Sequence, residues 1–268
     1  MRTSRSLPTT RAARRAYFAN VSYLDEKIGR LLGALERAGM QNDTVVVFCA
    51  DHGDMLGERG LWFKMSFFEG SARVPLMIAG PGIGEALCRE PVSLLDIAPT
   101  IAELAGVDGG EFAAWSDGQS LAPVLGGERR TAPVLMEYAA EGSVAPLVSI
   151  RRGRFKFNHC EIDPPQLFDL EADPAELRNL AEDSEHAETV ASFAETVEDA
   201  RDLSRFDHEV RDSQARRWVV YEALRQGRYH PRDFEPEPMN HDRYMRNHMD
   251  LNVVEERARF PRDDSGDA

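Results

Sequence analysis

Apolar residues recur at Tyr17, Val21, Leu24, Ile28, Leu31, Leu32 and Leu35, three to four positions apart. That spacing predicts an amphipathic helix from about Arg11 to Gly39, where the glycine ends it. Asn42 and Asp43 turn the chain, and the pattern then changes. "TVVVFCA" (44–50) is β-branched and apolar on both parities, as in a strand covered on both faces. "VPLMIAG" (74–80) reads as a second buried strand and "PVLMEY" (133–138) as a third. Between them, "SLLDIAPTIAELAG" (93–106) has helical spacing with Gly106 at its end. Strand alternating with helix predicts α/β layers around a largely parallel sheet.

Downstream the runs become short. "LVSIRRGRFKFNHC" (147–160) and "QLFDLEAD" (166–173) predict a small antiparallel sheet, turned at Pro164 and Pro165. "DPAELRNLAED" (173–183) predicts a turn into a short helix capped by Asp173. Two polar helices are expected near 185–203 and 207–226. From Arg228 onward Pro, His, Arg and Asn dominate. Trp218, Tyr221, Phe234, Tyr244 and Phe260 give this end an aromatic content suited to docking rather than disorder. The expected organisation is a partial catalytic domain at 11–145, an α+β subdomain at 146–227 and a tail at 228–268.

Composition narrows the function classes. The 268 residues are 42% hydrophobic, with 46 acids against 32 Lys and Arg and a formal net charge of −14. That sign opposes binding to a nucleic acid backbone. Cys49, Cys88 and Cys160 form no CxxC pair or disulfide framework, so a reducing cytoplasm is expected. The basic opening "MRTSRSLPTTRAARRAY" has no apolar core of a secretion signal, and no apolar window reaches membrane-spanning length. A soluble protein is expected.

Candidate chemistry sits where "VFCADHGDMLGERGLWFK" (47–64) leaves the first strand. Ligands of open α/β sheets collect at the carboxyl ends of strands. Asp51 and His52 at that position suit a divalent cation, and Gly53 lets the backbone fold close. Two ligands do not complete a site, since a hard cation takes about six to eight oxygens. In isolation the same residues read first as a loop turn with a capping acid. Lys64, between Phe63 and Met65 and next to Trp62, suits an anionic oxygen, although a lone lysine there is also an ordinary snorkelling one. Trp62 and Phe63 are expected in the core.

"YLDEKIGRLLGALERAGMQNDTVVVFCADHGDMLGERGLWFKMSFFEGSARVPLMIAGPG" resembles the C-terminal half of a sulfatase catalytic domain, in the alkaline-phosphatase superfamily. "QLFDLEADPAELRNLAED" resembles the entry to that family's C-terminal subdomain. "RRWVVYEALRQGRYHPRDFEPEP" and "RYMRNHMDLNVVEERARFP" resemble the tails of choline-sulfatases. The likeness runs from about Arg14 to Pro261. It implies an α/β fold: the C-terminal half of an alkaline-phosphatase-like α/β/α sandwich, a small antiparallel C-terminal sheet with helices, and an extended tail. It implies Asp51 and His52 as two metal ligands, for Ca²⁺ first with Mn²⁺ or Mg²⁺ open, and Lys64 as the catalytic group on the sulfate. The implied reaction splits choline sulfate into choline and sulfate through a formylglycine nucleophile.

That formylglycine arises from cysteine in a C-x-P-x-R context, and none of the three cysteines has it. No S-x-P-x-R replaces it, and the family's paired N-terminal aspartates are also absent. The expectation is therefore a chain inactive by itself, with a separately encoded N-terminal half as a possible partner. For the choline end, Glu141 beside Tyr138 and Asp250 in "RNHMDLN" are the candidate carboxylates. Each also reads as a solvated loop acid or a helix cap. The tail suggests a homo-oligomer. A phosphonate or phosphate ester hydrolase of the same superfamily and a non-catalytic binding remnant are the competing readings.

Overall fold

The computed structural model describes residues 7–107, 116–140 and 143–225. The chain divides into two compact units, Met1–His208 and Glu209–Ala268. Among the described residues no helix is long and apolar enough to cross a membrane.

The first unit opens with α1 (Leu7–Arg37), which ends where Gly39 takes a left-handed φ of 69°. No residue of 9–37 is fully buried, and the apolar stripe predicted from the spacing stands largely open. Val21, Leu24 and Leu31 are 49, 50 and 69% exposed. Arg14 ties the helix down by donating to the Leu56 carbonyl at 2.9 Å and to Glu58 at 2.7 Å.

β1 (Val46–Cys49) pairs with β4 (Leu76–Ala79) in an antiparallel two-stranded ribbon. The largely parallel sheet is not found among the described residues, where every strand pairing is antiparallel. A parallel neighbour requires a crossover of a dozen or more residues, usually helical. The connection between β1 and β4 holds only the short hairpin β2 (Met55–Leu56) and β3 (Trp62–Phe63), one 3₁₀ turn and α2 (Glu69–Ala72). Nor is the ribbon covered on both faces: Val46, Val47 and Phe48 are half-buried, and Cys49 is exposed.

α3 (Ile97–Leu104) follows a 3₁₀ turn closed by a capping box of Ser93 and Asp96. Gly106 ends it in the left-handed region, as the sequence predicts. The buried Asp96 carboxylate accepts from the Gln119 N–H at 2.8 Å and pairs with Arg130 at 3.1 Å, so it anchors the chain on either side of the short α4 (Ala122–Leu125).

The core of this unit is a four-stranded antiparallel sheet in the order β5 (Val134–Tyr138), β6 (Leu147–Arg152), β7 (Phe155–Cys160), β8 (Asp163–Asp169). β5 was expected in the first layer and instead pairs with β6, its nearest strand along the chain. Val148, Ile150, Phe157 and Leu167 share one face and pack on Phe193 and Val197 of α5 (Ala187–Ala200). Phe157 stacks on Phe193 at 5.6 Å. Each such buried side chain contributes about 1.5–3 kcal/mol. Pro164 and Pro165 lie inside β8 rather than at the turn. An edge strand tolerates the missing N–H groups, which a central strand does not.

No helix forms over 173–183. Asp173 accepts from the Arg178 N–H at 2.8 Å, and Glu176 adopts a φ of 56°, which breaks helical geometry. The two polar helices are α5 and α6 (Leu203–Arg225). In the second unit, the described part of α6 packs Trp218 on Tyr221 in a tilted pair at 5.3 Å and leaves Trp218 61% exposed.

Candidate active site

β1 delivers Asp51 and His52 to its carboxyl end, and two local features fold Lys64 back onto them. The first is the β2–β3 hairpin, which pairs Met55 with Phe63 and Leu56 with Trp62 around Gly57. Met55 is only 3% exposed and pins the hairpin in place. The second is the contact of the Asp-His-Gly turn with α2. Gly53 N–H donates to the Ser71 carbonyl at 2.7 Å. A Cβ at residue 53 would stand 2.2 Å from the Gly70 carbonyl oxygen, so no other residue fits without moving backbone.

The three predicted residues meet. His52 Nδ1 lies 2.8 Å from the Gly53 carbonyl, which assigns the ring proton to that nitrogen. Nε2 is then an acceptor and faces Lys64 Nζ at 3.1 Å. Asp51 Oδ1 accepts from the His52 N–H at 2.9 Å, and Oδ2 stands 3.4 Å from His52 Nε2. The backbone around the lysine is unusual: Phe63 and Met65 take φ of 66° and 76°, positions that L residues occupy at a cost of about 1–3 kcal/mol each. Left-handed residues on both sides turn Lys64 toward the histidine. Phe63 is 68% exposed and Trp62 half-buried, so neither fills the core as expected.

A cavity of about 440 Å³ opens over this cluster. Its polar lining is Asp51, His52, Lys64, Ser66 and Ser71; its apolar lining includes Met65, Phe67, Met136 and Tyr138. Met136 was not anticipated, though the alternation of "PVLMEY" puts it on the same strand face as Tyr138. The serines gave no signal in the sequence. Glu141 and Asp250 lie outside the described residues. Among the described residues no three His, Cys, Asp or Glu side chains gather as a metal cluster. The spacing of Asp51 Oδ2 and His52 Nε2 suits two adjacent ligands of one cation, which takes about six or more oxygens in all.

Three family profiles match. The sulfatase profile covers residues 2–107, the C-terminal profile of N-sulphoglucosamine sulphohydrolase covers 57–203, and the choline sulfatase C-terminal profile covers 208–260. The second alone spans more than half of the chain. The chain belongs to the sulfatase family. Among curated sulfatases, the choline-sulfatase of Rhizobium meliloti (strain 1021) is 58% identical over 255 residues, 94% of this chain and 50% of that one. Arylsulfatase K of Danio rerio is 36% identical over 61% of this chain and 32% of its own length. The chain thus spans half or less of the length of these curated relatives.

Solved structures agree on the alkaline-phosphatase-like fold. The phosphonate monoester hydrolase of Agrobacterium radiobacter superposes with a TM-score of 0.59 at 30% identity, over 69% of this chain and 40% of that one. A protein solved with its substrate D-glucosamine-2-N,6-O-disulfate gives a TM-score of 0.57 at 32% identity, over 69% of this chain and 39% of that one.

Proposed function

We propose that this chain supplies the Asp51–His52–Lys64 part of a choline-sulfatase site, which hydrolyses choline sulfate to choline and sulfate. The observation that carries the reading is the approach of Lys64 Nζ to His52 Nε2 within one cavity, in a sulfatase-family chain. The Lys64 ammonium is a compact charge suited to one sulfate oxygen. The His52 ring, fixed by its bond to Gly53, turns Nε2 into the cavity; that lone pair would serve the cation once bound, leaving the Lys64 ammonium to the sulfate oxygen. Asp51 and His52 would hold two corners of a divalent cation, with Ca²⁺ first. Bound there, the cation would neutralise charge on the sulfate. Met65, Phe67, Met136 and Tyr138 offer soft and aromatic surface to a methylated ammonium, and Glu141 and Asp250 would balance its charge.

The substrate assignment is supported by the 58% identity to the Rhizobium meliloti choline-sulfatase and by the tail match over 208–260. The tail match also favours choline sulfate over a phosphonate ester. No C-x-P-x-R nucleophile motif stands in these 268 residues, so hydrolysis requires a further polypeptide segment that supplies it. The open apolar face of α1 and the half-covered β1–β4 ribbon fit the docking of such a segment. We further place the protein in the cytoplasm, in keeping with its three free cysteines, as an oligomer joined through its tail.

Isotope-edited NMR titration with sulfate and with choline sulfate tests the reading. Shifts at His52, Lys64 and Tyr138 are expected, with Lys64→Ala weakening sulfate binding about tenfold or more. Turnover by the chain alone, lost on Asp51→Ala, would show that no second segment is needed. Equal binding by wild type and Lys64→Ala would remove the site.

A further inference from the structure

β7 places a lysine where a core residue belongs. Lys156 is 0% exposed and lies on the sheet face opposite the α5 core, directly across from Arg151 and Phe168. Its ammonium donates to the Phe67 carbonyl, to Glu69 Oε1 at 3.0 Å, and pairs with Glu176. Glu176, only 2% exposed, closes the ring, because its Oε2 accepts from the Glu69 N–H at 2.7 Å. Phe68 packs on Phe168 at 6.2 Å beside it, and Arg59 lies 4.2 Å over the Phe68 ring. Three stretches remote in sequence therefore converge on one buried cation.

Stability does not account for this arrangement. A buried ion cluster is often no more stabilising than apolar residues of the same volume, and a methionine at residue 156 would fill the space without desolvating a charge. Arg151, directly across from Lys156 and facing Glu69, adds a second cation whose desolvation must also be offset. Glu176 reaches it from a left-handed backbone, which carries a conformational cost of its own. What the cluster does fix is the register of the segment 66–72 on the sheet. That segment begins two residues after Lys64 and contributes Ser66, Phe67, Ser71 and Ala72 to the cavity. Ser71 in turn receives the Gly53 N–H that seats the Asp-His-Gly turn.

We propose that Lys156 is a positioning residue of the anion site. By drawing the Phe67 carbonyl, Glu69 and Glu176 around one ammonium, it locks the segment that presents Lys64 to His52. This rests on the reading of Lys64 as the sulfate-binding cation.

The test compares Lys156→Met with the neutral triple variant Lys156→Met/Glu69→Gln/Glu176→Gln and with Lys156→Arg, all in the full chain. Three quantities are read: melting temperature, affinity for inorganic sulfate, and the rate of tryptic cleavage after Lys64 followed by mass spectrometry. Lys156→Met strands the buried Glu176 carboxylate and the half-buried one of Glu69, and lowers the melting temperature. The triple variant restores the melting temperature, yet sulfate affinity stays about tenfold down and cleavage after Lys64 about tenfold faster. Lys156→Arg, which keeps the cation, recovers affinity and protection. A triple variant that regains wild-type sulfate affinity and protection along with its stability overturns the proposal. Should the triple variant not fold, Glu176→Gln decides: unchanged cleavage after Lys64 overturns the proposal, and faster cleavage supports it. If the wild type binds no sulfate, the reading of Lys64 fails separately, and the cleavage rates still decide the role of Lys156.

Discussion

At the scale of single residues, the site depends on one glycine. Gly53 approaches the Gly70 carbonyl so closely that even a methyl group must displace α2 or the Asp-His-Gly turn. Gly53→Ala is expected to weaken sulfate binding about tenfold or more while the β5–β8 sheet stays intact, read by NMR titration and amide exchange. Asp169 makes a second residue-level prediction. Its carboxylate accepts from Arg154 Nε at 2.8 Å and from the N–H groups of Glu171 and Ala172. The Arg154 hydrogen bond leads the causes that hold its pKa below the ordinary value. As pH falls, the unfolded chain binds the proton first, so the stabilisation is complete above about pH 4 and lost through the lower folded pKa. Acid unfolding of Asp169→Asn should show a shallower loss over that range, and an identical acid limb would count against the pairing. Asp51, His52 and Lys64 were legible because they follow an apolar strand. Ser66, Ser71 and Lys156 were not, because their roles come from contacts between segments far apart in sequence.

At the scale of elements, α5 and the sheet depend on each other. Phe193 and Val197 are each 1% exposed and lie one helical turn apart against Phe157 and Ile150. Phe193→Ala is expected to cost about 3–5 kcal/mol, measured as a lowered denaturation midpoint with an unchanged slope. Two helices were legible from local signals: the apolar spacing of α1 and the Gly106 stop of α3. Strand pairing was less legible. "PVLMEY" reads as a strand in either sheet, and only the hairpin partner at Leu147–Arg152 decides which one it joins. The helix expected over 173–183 lost to a long-range demand, since Glu176 is drawn to Lys156 and leaves helical geometry to reach it.

Taken as a whole molecule, the first unit is unevenly covered. The sheet and α5 enclose an apolar core, while α1 and the β1–β4 ribbon leave Phe18, Leu24, Leu31 and Met77 more than 49% exposed. A helix without a packed face is marginal in water, as is a two-stranded ribbon. Hydrogen exchange on the isolated chain is expected to be fast across α1 and slow across β6 and β7. Adding a polypeptide that carries the missing nucleophile segment should slow α1 by an order of magnitude or more. If α1 exchanges equally fast with and without it, the docking proposal is lost.

The layout of the sheet bears on how the chain assembles. Its four strands are neighbours in sequence order, and β6, β7 and β8 are joined by turns of two residues. Contacts so close along the chain form quickly, because little loop entropy is lost in making them. This meander can therefore serve as the nucleus, with Lys156 still hydrated on its outer face. The segment bearing Glu69 would then arrive late, and recognition of the ammonium by its carboxylate would mark the moment when the scaffold becomes competent to receive an anion.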